Sequence, residues 1–310
     1  MSESSKRRAS DGASWFLSTA RERVAGLLDH GSFVEFLPPT ERVQSPHLAL
    51  FDLPVAFDDG MIVGRGKLAG RDVLIAAQEG QFMGGTFAEI SGAKLLGLLR
   101  AARDDTKLPR TILLLLDSGG VRLQEANAGE LAVAEVMRAI TEARAAGVAV
   151  IALVGGRAGA FGGAGLTAAT CSRIAISEQG RTGVSGPEVI ETNKGVEEFD
   201  SKDKALVWSV TGGRTRRLIG GADAYAEDTV SGFREAVLGL IDRAPPFDLV
   251  TLQAEQQRLT ERVKQFGDCS TAAEMWGVLG IADPKSIRDI NDAAFVKIVA
   301  KVEGASHDAR

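Results

Sequence analysis

Two glycine-rich stretches hold the residues best suited to chemistry: LLLLDSGGVRLQE at 113–125 and VGGRAGAFGGAG at 154–165. The first carries Gly119 and Gly120, and the second carries Gly155, Gly156, Gly159, Gly162, Gly163 and Gly165. Glycine lets a ligand approach a main-chain N–H with no Cβ in the way, and it reaches backbone conformations closed to other residues. Where a helix starts directly after such a turn, its first amides lack internal partners and its dipole favours negative charge. A phosphate loop would need G-x-x-x-x-G-K-[ST], yet Gly163 is followed by Ala164 and Gly165. A dinucleotide turn would need G-x-G-x-x-G directly after its strand and an acid about 20 residues on, and the stretch has neither spacing. An oxyanion hole fits, because it asks only for N–H groups aimed at oxygen that gains charge in the transition state. On pattern alone, tight connections packed for structural reasons account for these glycines equally well.

Side-chain chemistry is sparse around them. His30, His47 and His307 are scattered, and none lies in the glycine-rich centre, which argues against a Ser-His-Asp relay. The two cysteines, Cys171 and Cys269, are too few for a zinc ribbon or a disulfide framework, so no metal is expected. Glu125 reads as a charge at a helix N-terminus, and Cys171 as a small buried residue closing a short helix. Arg214, Arg216 and Arg217 read as a solvated surface cluster.

The elements that must position the turns follow from hydrophobic spacing. A helix is expected over ASWFLSTARERVAGLLD (13–29), and a hairpin over MIVGRGKL and RDVLIAAQE. From residue 86 helices alternate with apolar runs: FAEISGAKLLGLLRAARDD, RTILLLLDS, AGELAVAEVMRAITEARAAG, VAVIALV. Apolar runs without alternation, separated by amphipathic helices, mark parallel β-α-β units covered on both faces. In such sheets ligands bind outside the carboxyl ends of strands, where both glycine turns sit. GLTAATC suggests a short helix and SRIAIS a strand; 192–221 shows no period, and 222–244 reads as helix up to a break at PPFD. Beyond it, Leu252, Leu259, Val263 and Phe266 stripe a charged helix that suits packing on the body or on a partner.

With 310 residues, 45% of them hydrophobic, the chain can bury a full core. A net charge of −5 argues against nucleic acid as a main partner. No uncharged apolar run approaches the ~18 residues of a membrane helix, and MSESSKRRASDG lacks the apolar segment of a secretory signal. No membrane partner and a cytoplasmic location are expected. Residues 1–12 read as a disordered tail, 13–245 as the main domain and 246–310 as a helical C-terminal extension.

At DSGGVRLQE and GPEVIE the sequence resembles the acyl-CoA carboxyltransferase family, in the half related to the β-subunit of bacterial acetyl-CoA carboxylase. DDGMIVGRGKLAGRDVLIAAQE and FMGGTFAE are similar to that family's hairpin and following turn, so the likeness spans about 15–245. GGRAGAFGGAGLTAA and TGGRTR resemble its branch of malonate decarboxylase β-subunits. The resemblance implies an α/β, crotonase-like (ClpP/crotonase superfold) carboxyltransferase domain. It implies that Gly162 and Gly163 offer amides to a thioester or carboxylate oxygen while Gly119 and Gly120 shape the facing wall, with Gly159 and Ala160 as the alternative register. For Arg122 and Arg157 it implies contact with a CoA-like group, beside the plainer reading of structural hydrogen bonds.

The activity implied is a carboxy-lyase: with a homologous γ-subunit, malonyl-S-acyl-carrier-protein would lose CO2 through an enolate and become the acetyl thioester. The implied partners are that γ-subunit, an acyl carrier protein and an acyl-carrier transferase subunit. No cofactor is expected covalently on this chain; a CoA-like phosphopantetheine arm would arrive on the carrier protein. A biotin-dependent carboxyltransferase β-subunit and a non-catalytic scaffold stay open. The family's four-cysteine zinc ribbon is missing. Gly165 stands where hydratases of the superfold carry a glutamate, so water addition is not expected.

Overall fold

The computed structural model describes residues 12–50 and 59–308. The expected tail at 1–12 lies, apart from Gly12, outside the described residues. In chain order the elements are α1 (Ala20–Leu27), β1 (Val34–Phe36), α2 (Pro46–Leu50), β2 (Met61–Leu68), β3 (Arg71–Gln78), α3 (Glu89–Asp104), β4 (Thr111–Leu116), α4 (Ala128–Ala145), β5 (Ala149–Val154) and β6 (Ala160–Phe161). They continue as α5 (Gly163–Thr170), β7 (Arg173–Ser177), β8 (Thr182–Gly183), α6 (Pro187–Lys194), α7 (Lys204–Thr211), α8 (Gly213–Leu218), β9 (Ala224–Ala226), α9 (Val230–Leu240), α10 (Leu249–Phe266), α11 (Ala272–Val278) and α12 (Asp292–Asp308).

A seven-stranded sheet in the order β1-β2-β3-β4-β5-β7-β9 forms the frame, antiparallel in the β1–β3 meander and parallel from β3 onward. The parallel strands explain the unalternating runs. In β4, Ile112, Leu114 and Leu116 join the core under α3, α4 and α5, whereas Leu113 and Leu115 join the core under α1 and α9. Both faces are dry, so every position from Ile112 to Leu116 is apolar. Each fully buried leucine contributes about 1.5–3 kcal/mol relative to exposure, which fixes the sheet and hence the strand ends. β6 and β8 form a separate two-stranded parallel pair at that edge.

Three expectations need correction. The first helix runs only Ala20–Leu27: a Thr19–Glu22 capping box starts it, and Trp15 lies in a preceding turn, stacked 4.1 Å from the Phe233 ring. The expected helix over 222–244 splits, because Ala224–Ala226 pairs with β7 and Thr229 caps a new start at α9. The aperiodic span 192–221 contains α7 and α8, too short for a 3.6-residue period to show.

The extension builds its own core from Trp276, Ile287, Phe295 and Val299, closed by Leu218 of α8. Arg214 is the seam rather than a solvated residue. It is buried, pairs with Glu178 and Asp292, and donates to the Ile287 carbonyl at 2.6 Å. Arg217 likewise pairs with Glu303.

Candidate active site

The turn after β4 opens with Asp117, which is buried and bonded on all sides. Its carboxylate accepts from the Ala158 N–H (2.7 Å) in the turn after β5 and pairs at 2.7 Å with Arg23 of α1. The Arg23 Nε in turn donates to the Trp15 carbonyl. Bare backbone makes room for this carboxyl group, since a Cβ on Gly156 would lie 2.1 Å from the Asp117 Cγ. Ser118 stitches the two turns directly: its N–H donates to the Gly159 carbonyl (2.6 Å), and its carbonyl accepts from Phe161 (3.0 Å). A third turn, 82–88, joins them through Phe87 N–H to Gly120 O and Arg122 N–H to Phe87 O, both 2.8 Å. Its Gly85 has φ 63 and faces the Asp117 carbonyl so closely that a Cβ would lie 1.7 Å from the oxygen.

These bonds decide which amides are open. Gly119 donates to the Gly84 carbonyl at 2.9 Å and Gly120 to the Ser118 Oγ at 3.2 Å. Gly159 donates to Gly156 O (3.2 Å) and Ala160 to Arg181 O (2.8 Å), so the alternative register has both its amides occupied. α5 begins at Gly163, its first internal bond runs from Leu166 N–H to Gly162 O, and no side chain caps it. Among the described residues nothing accepts from the Gly163 or Ala164 amide. Gly162, at φ 53, swings the chain into the helix, and the position of a Cβ on it would lie 3.5 Å from the Gly120 Cα. Gly120 and Gly162 thus face each other, and the helix dipole adds a partial positive charge between them.

The charged residues divide between buried and exposed. Arg122 is buried and pairs with Glu125 (3.1 Å), its guanidinium lies 5.3 Å from the Phe82 ring, and Glu125 accepts from the Glu89 N–H that opens α3. Both residues hold the third turn. Arg157 is exposed and stands over the Phe16 ring. Gly165 cannot be replaced by glutamate without a clash, since a Cβ there would lie 2.2 Å from the Gly183 carbonyl. Cys171 is buried, and that burial pushes its thiol up to about 12. Around the turns, apolar side chains remain outside: Leu123 is 74% and Val184 71% exposed, and Met83 and Leu166 join them.

Sequence reasoning missed Arg23, Asp117 and Arg181. Asp117 had a legible signal, an acid at the end of an all-leucine strand, whereas Arg23 is one charge among several on a helix. A cleft of about 990 Å³ lies between α7 and the C-terminal helices, walled by Phe16, Trp208, Trp276 and Ile287. No group of three or more His, Cys, Asp or Glu side chains that could hold a metal occurs among the described residues. No described helix is long and apolar enough to cross a membrane.

The chain is similar to known proteins. The carboxyl transferase domain family model matches residues 17–214. The malonyl-S-ACP:biotin-protein carboxyltransferase of Malonomonas rubra is 36% identical over 88% of this chain and 92% of its own length. A chain of a Pseudomonas malonate decarboxylase hetero-tetramer, solved in complex with malonate, is 38% identical with a TM-score of 0.77, covering 87% of this chain and 99% of that one. A Pseudomonas malonate decarboxylase hetero-dimer gives 36% identity and a TM-score of 0.64, over 82% of this chain and 97% of that one.

Proposed function

The chain belongs to the carboxyl transferase family, and from that membership we propose that it is the β-type subunit of a malonate decarboxylase. Its substrate is malonyl on the phosphopantetheine arm of an acyl carrier protein, and its product is the acetyl thioester. When the bond between the carboxylate carbon and the α-carbon breaks, CO2 leaves and the electron pair flows into the thioester carbonyl. The oxygen becomes an enolate oxygen, and the amides at the start of α5 hold it. Protonation at carbon completes the reaction. Removing one donor of this kind raises a barrier by roughly 3–4 kcal/mol, so two such amides are enough to make enolate formation the step this subunit serves. The observation that carries the reading is the uncapped start of α5, open at Gly163 and Ala164 and facing Gly120.

A homologous γ-subunit covers the apolar rim at Met83, Leu123, Leu166 and Val184, and an acyl-carrier transferase subunit charges the carrier. We assign residues 13–245 to the carboxyltransferase domain and 246–310 to the helical extension. The hetero-dimeric and hetero-tetrameric malonate decarboxylases among its likenesses support this assembly.

A second reading has its own support, because the Malonomonas relative is by name a carboxyltransferase to a biotin protein. There the carboxyl group passes to biotin instead of leaving as CO2. The native complex, purified with its subunits and given malonyl carrier protein, distinguishes the two. Stoichiometric CO2 release that avidin does not inhibit is expected. Release abolished by avidin would establish the biotin route, and no turnover of malonyl thioester by either route would leave the chain a scaffold.

A further inference from the structure

We propose that Arg181 reads the free carboxylate of the acyl group, so that the site selects dicarboxylic over monocarboxylic thioesters; this rests on the thioester reading above. Arg181 directly precedes β8, and its carbonyl accepts from Ala160, which ties it to the strand that leads into Gly162. Its guanidinium carbon lies 4.5 Å from the Trp208 ring centre and 5.8 Å from that of Phe161, the residue before the oxyanion turn. One amino group donates to the Arg157 carbonyl, inside the glycine loop. The Nε is buried with no acceptor among the described residues.

No carboxylate among the described residues forms an ion pair with this guanidinium. Asp117 and Glu188 act on it only through their field, and Asp117 is already paired with Arg23. A cation held in a part-buried aromatic setting without a counter-ion is unfavourable. The buried arginines Arg23, Arg122 and Arg214 each have a carboxylate: Arg23 has Asp117, Arg122 has Glu125 and Arg214 has Glu178. A guanidinium without a carboxylate partner is therefore tied, through its own carbonyl and through Phe161, to the strand that leads into α5, and a planar fork beside aromatic rings suits a carboxylate. The thioester oxygen and the carboxylate of one acyl group would then be recognised by different parts of the same wall: open amides for the first, Arg181 for the second.

Binding measurements test this apart from turnover. The full chain, purified with the subunits that accompany it, is titrated with malonyl-pantetheine and with acetyl-pantetheine. The wild type is expected to prefer the malonyl form. Arg181→Met is expected to weaken malonyl-pantetheine by about tenfold to a hundredfold, the range of a charge-assisted hydrogen bond, and to leave acetyl-pantetheine unchanged. Arg181→Lys keeps the charge without the fork and recovers part of the preference. Equal losses for both thioesters would show that the guanidinium only packs Phe161 against Trp208 and would overturn the proposal. So would a wild type that binds the two equally, or a variant that keeps the preference. Selective binding that depends on Arg181 but leads to no CO2 release would sink the decarboxylase reading and leave this one standing.

Discussion

The turn after β4 and the turn after β5 look alike as strings, each a buried strand running into glycines, yet they do opposite things with their main-chain hydrogens. In the first, Gly119 and Gly120 both donate within the protein, Asp117 is locked by Arg23 and Ala158, and Arg122 is buried against Glu125. In the second, Ala158, Gly159 and Ala160 are bonded, but the chain then turns at Gly162 into a helix whose first amides have no acceptor among the described residues. One turn is a buttress and the other presents donors. Glycine content says only that backbone comes close to something; whether that is protein or ligand depends on what remains after every internal bond has been made.

If the first turn is a buttress, damaging it should appear as lost stability. Asp117→Ala leaves Arg23 buried and unpaired, and urea unfolding should register a loss of about 3–5 kcal/mol. A loss under 1 kcal/mol, the level of a solvated pair, would mean the pair is not holding the turns. If the second turn presents donors, damaging it should appear in kcat. Proline is accepted at the first position of a helix and removes that N–H, so Gly163→Pro deletes the donor while Gly163→Ala adds a similar Cβ and keeps it. A Cβ at this position meets Val133 at 2.6 Å in either variant. Steady-state kinetics should therefore give about a 10²–10³-fold lower kcat for proline than for alanine. Equal kcat values would remove Gly163 from the chemistry.

The contrast sharpens at Gly119. A Cβ there would meet nothing nearer than Gly84 O at 3.8 Å, and the amide would stay where it is. Gly119→Ala is expected to change stability by no more than about 0.5 kcal/mol and kcat hardly at all. A marked fall in kcat would return this glycine to the site. A further contrast concerns Cys171, at the far end of α5. Its thiol, ordinarily near 9.0, is pushed up to about 12 by burial. Below 9 the folded and unfolded chains both keep the proton; above 9 the unfolded chain loses it first, so the contribution fades as pH rises toward 12. The difference in unfolding free energy between the wild type and Cys171→Ala should shrink across that window, and a constant difference would mean α5 is less tightly docked than its burial implies.

Much of this was legible in the chain. The runs ILLLL and VIALV had to be strands dry on both faces, because only a parallel sheet sandwiched between helices hides every side chain of such a run. The hairpin boundaries read equally well, since Ala69-Gly70 supplies the turn. What escaped were short elements and long-range pairs. α7 and α8 are too brief to display a period, and the strand at Ala224–Ala226 exists only because β7 is there to pair with it. For Arg122 the chain left two readings open, a contact for a CoA-like group and structural hydrogen bonds, and its burial against Glu125 fits the second. Arg214, taken as surface, became a seam when residues 287–292 folded back onto it. A charge on a string carries no sign of how deeply it will be buried.

The linear order of residues settled the alternation of strand and helix, the family pattern and the places where backbone lies bare, all of which depend on neighbours a few positions apart. It could not settle which bare amides stay available. Gly119 is occupied by Gly84, Ala158 by Asp117 and Ala160 by Arg181, all far from one another along the chain. A hydrogen-bond donor is free only by subtraction, and the subtraction is made by residues that folding brings from elsewhere.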